Sequence, residues 1–226
     1  MRRRPGYFRV AAAVSAAMLR HSARNPFLPW ILLAAPLTAW ILVGRMEIPI
    51  HSFLASAFTW CIPTALVSGW LESAERERIA LIIRGTRADS KSMHIPEILF
   101  PLAAGSVPAI SMILSSPPSG GIPWQLWTVI FSSSLTAVSA SLLLERHLGT
   151  GGYLLNLMGF MAQASRSSWA ESWIFQLPVP QGYTLWTLEW SRGRATALHG
   201  DFYAFFSVIA GVGLTVLAAK ILNASR

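Results

Sequence analysis

The chain has 226 residues, 53% of them hydrophobic and only 12% charged, whereas a soluble domain carries about 25% charged residues. That leaves too little polar surface to cover a water-soluble body, and the length leaves no room for a separate soluble enzyme domain beside a membrane region of about six spans. The net charge of +8 would point to nucleic acid in a soluble protein, but here it reflects Lys and Arg collected on one side of a membrane.

Residues 1–26 carry Arg2, Arg3, Arg4, Arg9, Arg20 and Arg24, and the first acidic residue is Glu47. Tyr7, Phe8, Val10, Ala11, Val14, Met18 and Leu19 recur largely at helical spacing, which predicts an amphipathic helix lying in the cytoplasmic interface with its arginines reaching phosphates. The basic start and the apolar run from Val10 to Leu19 also fit a signal peptide, although the run is Ala-rich and a strong span follows at once.

Spans one and two occupy residues 27–71. Phe27 to Gly44 forms the first and carries Pro36, and Phe53 to Leu71 forms the second and carries Pro63. Residues 72–95 hold the one long charged loop, with Glu72, Glu75, Arg76, Glu77, Arg78, Arg84, Arg87, Asp89 and Lys91. Spans three to five occupy residues 96–164. The third runs from about Ile95 to Leu114 with Pro96, Pro101 and Pro108. An uncharged turn of strong breakers, Ser115 to Pro123, precedes the fourth, Trp124 to Leu144. Gly151 to Ala164 is a weaker fifth run near the lower length limit for spanning. In residues 165–201, Trp169, Trp173, Trp186 and Trp190 alternate with Glu171, Glu189, Arg192 and Arg194, which predicts short helices dipping into an outer interface. The last span and tail fill 202–226, with Gly211 and Gly213 available for close helix contact.

Fourteen Lys and Arg fall on the side of the N-terminus, the charged loop, Arg146, Lys220 and Arg226. Only Arg45, Arg166, Arg192 and Arg194 fall on the other. This asymmetry predicts that both termini and the charged loop are cytoplasmic, in a membrane of the bacterial inner-membrane kind. The expected fold is therefore an all-α polytopic membrane protein in a single membrane domain.

Chemistry-bearing motifs are sparse. Glu97, Glu145 and Lys220 fall at span ends, where snorkelling is the expected behaviour, and the span interiors hold Ser, Thr, Asn156 and Gln163. No metal-ligand spacing, no nucleophile elbow and no Walker A loop is present, so no catalytic, metal or cofactor residue is assigned. The single Cys61 lies in an apolar run and reads as a buried small residue.

The segment Glu75-Arg76-Glu77-Arg78 followed by Ile79-Ala80-Leu81-Ile82-Ile83, between spans two and three, resembles the charged cytoplasmic helix of type-2 ABC exporter permeases. The order of elements resembles that family along nearly the whole chain. Ile79-Ala80 replaces the family's Gly-Thr, and its later Gly-Lys is missing. The resemblance implies a permease subunit that pairs as a homodimer or with a related subunit, among membrane lipids and without nucleic acid. It also implies a separate ATPase chain that carries ATP and magnesium. Coupling to that ATPase would run through Glu75, Arg76, Glu77, Arg78, Ile79, Ile82 and Ile83, and Trp169, Trp173, Trp186 and Trp190 would be outer gate residues or interface anchors.

The residues themselves leave two settings open for this helix. Leu71, Ala74, Arg78, Leu81 and Ile82 share one stripe, and Ile79, Ile82 and Ile83 suit either a groove on a soluble partner or the bundle's own end and N-terminal helix. Gly85 is expected to end the helix. Two further functions stand beside the exporter: an accessory or scaffold membrane subunit, and a membrane-embedded lipid-modifying enzyme, which the lack of polar residues inside the spans disfavours.

Overall fold

The computed structural model describes residues 7–24, 50–85, 91–148, 180–193 and 200–224. The expected spans Phe27–Gly44 and Gly151–Ala164, and with them Trp169 and Trp173, lie outside the described residues. Among the described residues every regular element is helical and there is no strand. The helices are α1 (Tyr7–Arg24), α2 (Ile50–Leu71), α3 (Ala74–Gly85), α4 (Lys91–Ser115), α5 (Trp124–Leu148), α6 (Tyr183–Ser191) and α7 (Gly200–Ala224), with a 3-10 turn, Pro180–Gly182, before α6.

Four of these are long and apolar enough to cross a membrane: Ile50–Leu71, Met93–Ser115, Trp124–Leu144 and Gly200–Ile221. The protein is thus an all-helical chain of integral-membrane character. α2 and α5 are mostly buried and form the centre, and α4 and α7 flank them with large exposed faces.

The centre is rich in small and hydroxylated side chains, and many of their hydroxyls are met by carbonyls within the bundle, although Ser56 and Ser133 find no partner among the described residues. In α2, Thr64 Oγ1 donates to the Trp60 carbonyl and Thr59 Oγ1 to the Ser56 carbonyl, both at 2.8 Å. Pro63 has no N–H to give to the Thr59 carbonyl, and the helix continues past it. Its ring seats where α4 supplies a glycine: a Cβ on Gly105 would lie 2.5 Å from Pro63 Cγ and 2.9 Å from the Phe58 carbonyl oxygen. Only glycine lets these two helices approach so closely.

α5 and α7 run parallel. Gln125 donates to Asp201 at 2.8 Å, Ser132 pairs with Ser207 at 2.6 Å and Ser139 with Thr215 at 2.8 Å, a register that holds along both helices. Gly211 belongs to this close seam, since a Cβ there would stand 3.1 Å from the Ser132 carbonyl oxygen. At Gly213 nothing among the described residues lies within 4 Å of a Cβ, so of the two glycines only Gly211 meets a described neighbour.

α6 lies beside the first half of α2 and runs antiparallel to it. Thr59 Oγ1 lies 3.1 Å from Thr184 Oγ1, and Arg192 Nη1 donates to Ser52 Oγ at 2.7 Å. The helix ends at Gly193, whose φ of +72° suits glycine. At the opposite end of the bundle, Val14, Ala17 and Met18 of α1 form a core with Trp70, Ile83 and Met93, flanked by Val10, Ile79, Ala80 and Phe100. That core fixes α1 and α3 at the level where α2 ends and α4 begins.

Candidate functional site

The charged segment between Ile50–Leu71 and Met93–Ser115 forms a helix, α3, that ends at Gly85 as its sequence predicts. Ser73 sets its start, because its hydroxyl accepts the Arg76 backbone N–H at 3.1 Å and donates to the Trp70 carbonyl at 2.8 Å. The helix has two faces. Ile83 is buried and Ile79 half-buried, both packed on α1, Trp70 and Met93. Ala74, Glu77, Arg78, Leu81 and Ile82 are exposed, Leu81 at 66% and Ile82 at 56%.

These outward residues match, apart from Glu77, the stripe that helical spacing selects in the sequence. The isoleucines divide between the two settings that the sequence leaves open: Ile79 and Ile83 fold back on the bundle, and Ile82 points away from it. Of the charged residues in the expected coupling set, Glu77 and Arg78 are on the free face. Glu75 and Arg76 are not. Glu75 faces Arg20 of α1 across 3.8 Å, an outer and loose pairing.

Arg76 reaches inward to Glu97, and here the sequence expectation fails. Instead of snorkelling at a span end, Glu97 is 2% exposed. Its carboxylate accepts three hydrogen bonds. Arg76 Nε–H donates to Oε1 at 2.7 Å, Trp70 Nε1–H donates to Oε1 at 2.9 Å, and His94 Nδ1 lies 3.0 Å from Oε2. His21 of α1 closes the cluster, with its ring edge-on to Trp70 at a centroid distance of 6.1 Å. The physical reason is tertiary. α3 folds over the end of the span and covers Glu97, so the carboxylate reaches donors on three helices instead of headgroups or water. A buried charge persists only when it is so paired. The one local signal in the sequence is His94, a helical neighbour three residues before Glu97; Trp70 and Arg76 are brought in by the fold.

At the other end, Trp186 and Trp190 are half-buried. Trp186 packs beside Val129, Tyr183 and Tyr203, and the Trp190 ring lies against Gly200, where any Cβ would clash with it. Both are packed into the bundle, not laid on its surface. Glu189, expected in an interfacial setting, is 4% exposed, which corrects that expectation; α6 is closed in by its neighbours, and Oε1 has no hydrogen-bond partner. Arg192 ties the end of α6 to two other elements, donating to Ser52 of α2 and, through Nη2, to the Ser116 carbonyl after α4 at 2.9 Å. Among the described residues no group of three or more His, Cys, Asp and Glu is arranged to hold a metal ion.

What the arrangement can do chemically follows from these contacts. Both Glu97 oxygens are committed to donors, so the cluster ties elements together and does not offer a free base. The outward face of α3 offers two large aliphatic side chains flanked by an acid and a base. No protein-family model, curated protein or solved structure matches the chain.

Proposed function

We propose that this chain is the permease subunit of an ATP-driven exporter of the type-2 ABC class, with α3 as the helix that docks on a separate ATPase chain. The observation that carries the reading is the division of α3 into two faces. A surface helix normally hides its large aliphatic residues, yet Leu81 and Ile82 stand exposed one turn after Glu77 and Arg78 on one side of a helix whose other side is firmly seated. Such a face suits a helix-in-groove contact with a soluble partner. The charge asymmetry of the sequence puts this helix on the cytoplasmic side, where ATP is available.

Connectivity supports six crossings. His21 of α1 lies beside Trp70 at the α3 end and α2 starts at the opposite end, as a crossing at Phe27–Gly44 would require. α5 and α7 run parallel, as a crossing at Gly151–Ala164 would require. Thr184 pairs with Thr59, the tenth residue of α2 and about 14 Å along it, which supports a re-entrant course for the segment that returns through α6. In this reading both termini are cytoplasmic, α6 and its tryptophans line the outer side of a path between two copies or two related subunits, and ATP and magnesium sit on the partner.

The test is recovery of the partner. The tagged chain, expressed with its neighbouring genes and extracted in detergent, is expected to bring down an ATPase. Ile82→Asp and Glu77→Arg lie on the free face and are expected to abolish that recovery while the chain keeps its melting temperature. A single clean species without any ATPase, or an ATPase that both variants retain, would sink the proposal and favour an accessory membrane subunit.

A further inference from the structure

Prolines interrupt the two helices that meet α3, Pro63 in α2 and Pro96, Pro101 and Pro108 in α4, and Pro101 and Pro108 lie on either side of the level at which Pro63 meets α4. Pro63 leaves the Thr59 carbonyl of α2 without its helical N–H, and Pro101 does the same to the Glu97 carbonyl of α4. Pro63 touches α4 at Gly105, one turn beyond Pro101. Beyond this level both helices are held to the rest of the bundle. Ser106 Oγ donates to Ser134 Oγ of α5 at 3.2 Å, and Ala109 and Ile113 pack with Ala55, Leu126, Ile130 and Leu188.

Before this level the attachments are different. Trp70 near the end of α2, Arg76 of α3 and His94 of α4 all converge on Glu97, and Met18, Ile83 and Met93 close over the same corner. Among the described residues, Val67, Leu71, Ile98 and Leu102 of these lower segments pack as an apolar patch against Val138 and Leu142 of α5. Apolar surfaces of this kind slide at little cost, whereas a buried charge pair resists separation.

We infer that Glu97 is a positioning residue that binds the lower ends of α2 and α4 to α3 as one lever, hinged where Pro63 meets Gly105. A load taken up by α3 then turns α4 before Pro101 and α2 after Pro63 together, and the upper halves stay fixed. The use of the lever rests on the docking role proposed for α3; its rigidity does not.

Spin-label distances separate the two. In a Cys61→Ala background and in nanodiscs of phosphatidylethanolamine and phosphatidylglycerol, labels at Leu81→Cys and Leu99→Cys report the lever, and labels at Val107→Cys and Phe131→Cys report the fixed half. All four sites are exposed. The 81/99 pair is expected to give a single narrow distance that is lost in Arg76→Ala and in Glu97→Gln and kept in Arg76→Lys, with the 107/131 distance unchanged throughout. An 81/99 peak that survives both Arg76→Ala and Glu97→Gln overturns the inference. If Arg76→Ala also disturbs the 107/131 pair, Glu97→Gln, which keeps the side-chain shape, decides. With a recovered ATPase and a non-hydrolysable ATP analogue, the 99/131 distance is expected to shift while 81/99 and 107/131 hold, and Pro101→Ala is expected to reduce that shift. An 81/99 change as large as the 99/131 change overturns the lever. Failure to recover any ATPase counts against the docking role alone, since the measurements on the isolated chain still decide the lever.

Discussion

Two parts of this molecule are held by polar contacts inside an apolar body, and they are built on opposite plans. At the α3 end, donors from three helices converge on one carboxylate, Glu97, at 2.7 to 3.0 Å. Along the α5–α7 seam, separate pairs stand about two turns apart: Gln125 with Asp201, Ser132 with Ser207, and Ser139 with Thr215. The first plan concentrates its stabilisation in one charge, so the loss of a single partner is felt by several elements at once. The second spreads it. Most of the seam hydroxyls also have a carbonyl of their own helix within reach as an alternative acceptor, Thr128 at 2.6 Å from Ser132, Ala204 at 2.9 Å from Ser207 and Gly211 at 2.6 Å from Thr215. A hydroxyl that loses its neighbour across the seam therefore stays satisfied. A concentrated tie suits a part that moves as a unit, and a distributed one suits a part that stays in place.

The largest effect is expected from breaking the concentrated tie. Arg76→Ala leaves Glu97 buried without its cation, and removing one partner of a buried pair costs about 3–5 kcal/mol. The Arg76 side chain keeps 22% of its exposure, so the lower end of that range is expected. Trp70→Phe removes one neutral donor to the carboxylate and leaves Arg76 and His94 in place, so a smaller loss is expected, about 1.5–3 kcal/mol for a hydrogen bond to a charged group. Thermal unfolding of the purified chain in detergent measures both. Equal losses in the two variants would mean that the indole and the guanidinium count alike, and that charge is not what distinguishes this end of the molecule.

Gly105 comes next, because it marks the level at which the two plans meet. Gly105→Ala puts a methyl group against the Pro63 ring and the Phe58 carbonyl, two partners that are backbone or ring and have little freedom to yield. Overpacking of this kind costs about 1–3 kcal/mol. The same change at Gly213, which meets no described neighbour, is expected to leave the melting temperature where it is or raise it slightly. A Gly105→Ala variant as stable as Gly213→Ala would show that α2 and α4 can separate at this level without loss, and the contrast between a hinge line and a fixed half would then fall.

How far the sequence discloses these regions differs as well. The crossing helices are legible, because an unbroken apolar run bounded by breakers has few alternatives. Trp124–Leu144 has the same bounds in sequence and in structure, and the three other described spans differ from their expected bounds by a few residues at their ends. The seam is half legible: Ser and Thr are visible within the spans, but which helix each one faces depends on packing. For α3 the helical period separates Ala74, Arg78, Leu81 and Ile82 from Ile79 and Ile83, and no feature of the period says which set faces the bundle. The Glu97 cluster is the least legible part. Its carboxylate lies 27 residues from Trp70 and 21 from Arg76, and local sequence has no means of telling a span end that meets water from one over which another helix folds.

The smallest effect is expected along the seam, and it is the sharpest check on the comparison. Ser132→Ala and Ser207→Ala each remove one member of a 2.6 Å pair, and in each case the remaining hydroxyl keeps its carbonyl acceptor. Hydrogen bonds between helices in membranes couple by about 0.6 kcal/mol on average in double-mutant cycles, because the chain finds other partners when one is lost. The two single variants and the double variant, unfolded under the same conditions, are expected to give a coupling of that size. The equivalent cycle on Arg76→Ala and Glu97→Gln is expected to give a coupling several times larger. If the two cycles give similar couplings, the hydroxyl pairs hold the bundle as firmly as the charge does, and the α3 end has no special claim to act as a separate moving part. If the hydroxyl cycle stays small while the charge cycle is large, a load on α3 passes to the lower ends of α2 and α4 before it reaches α5 and α7.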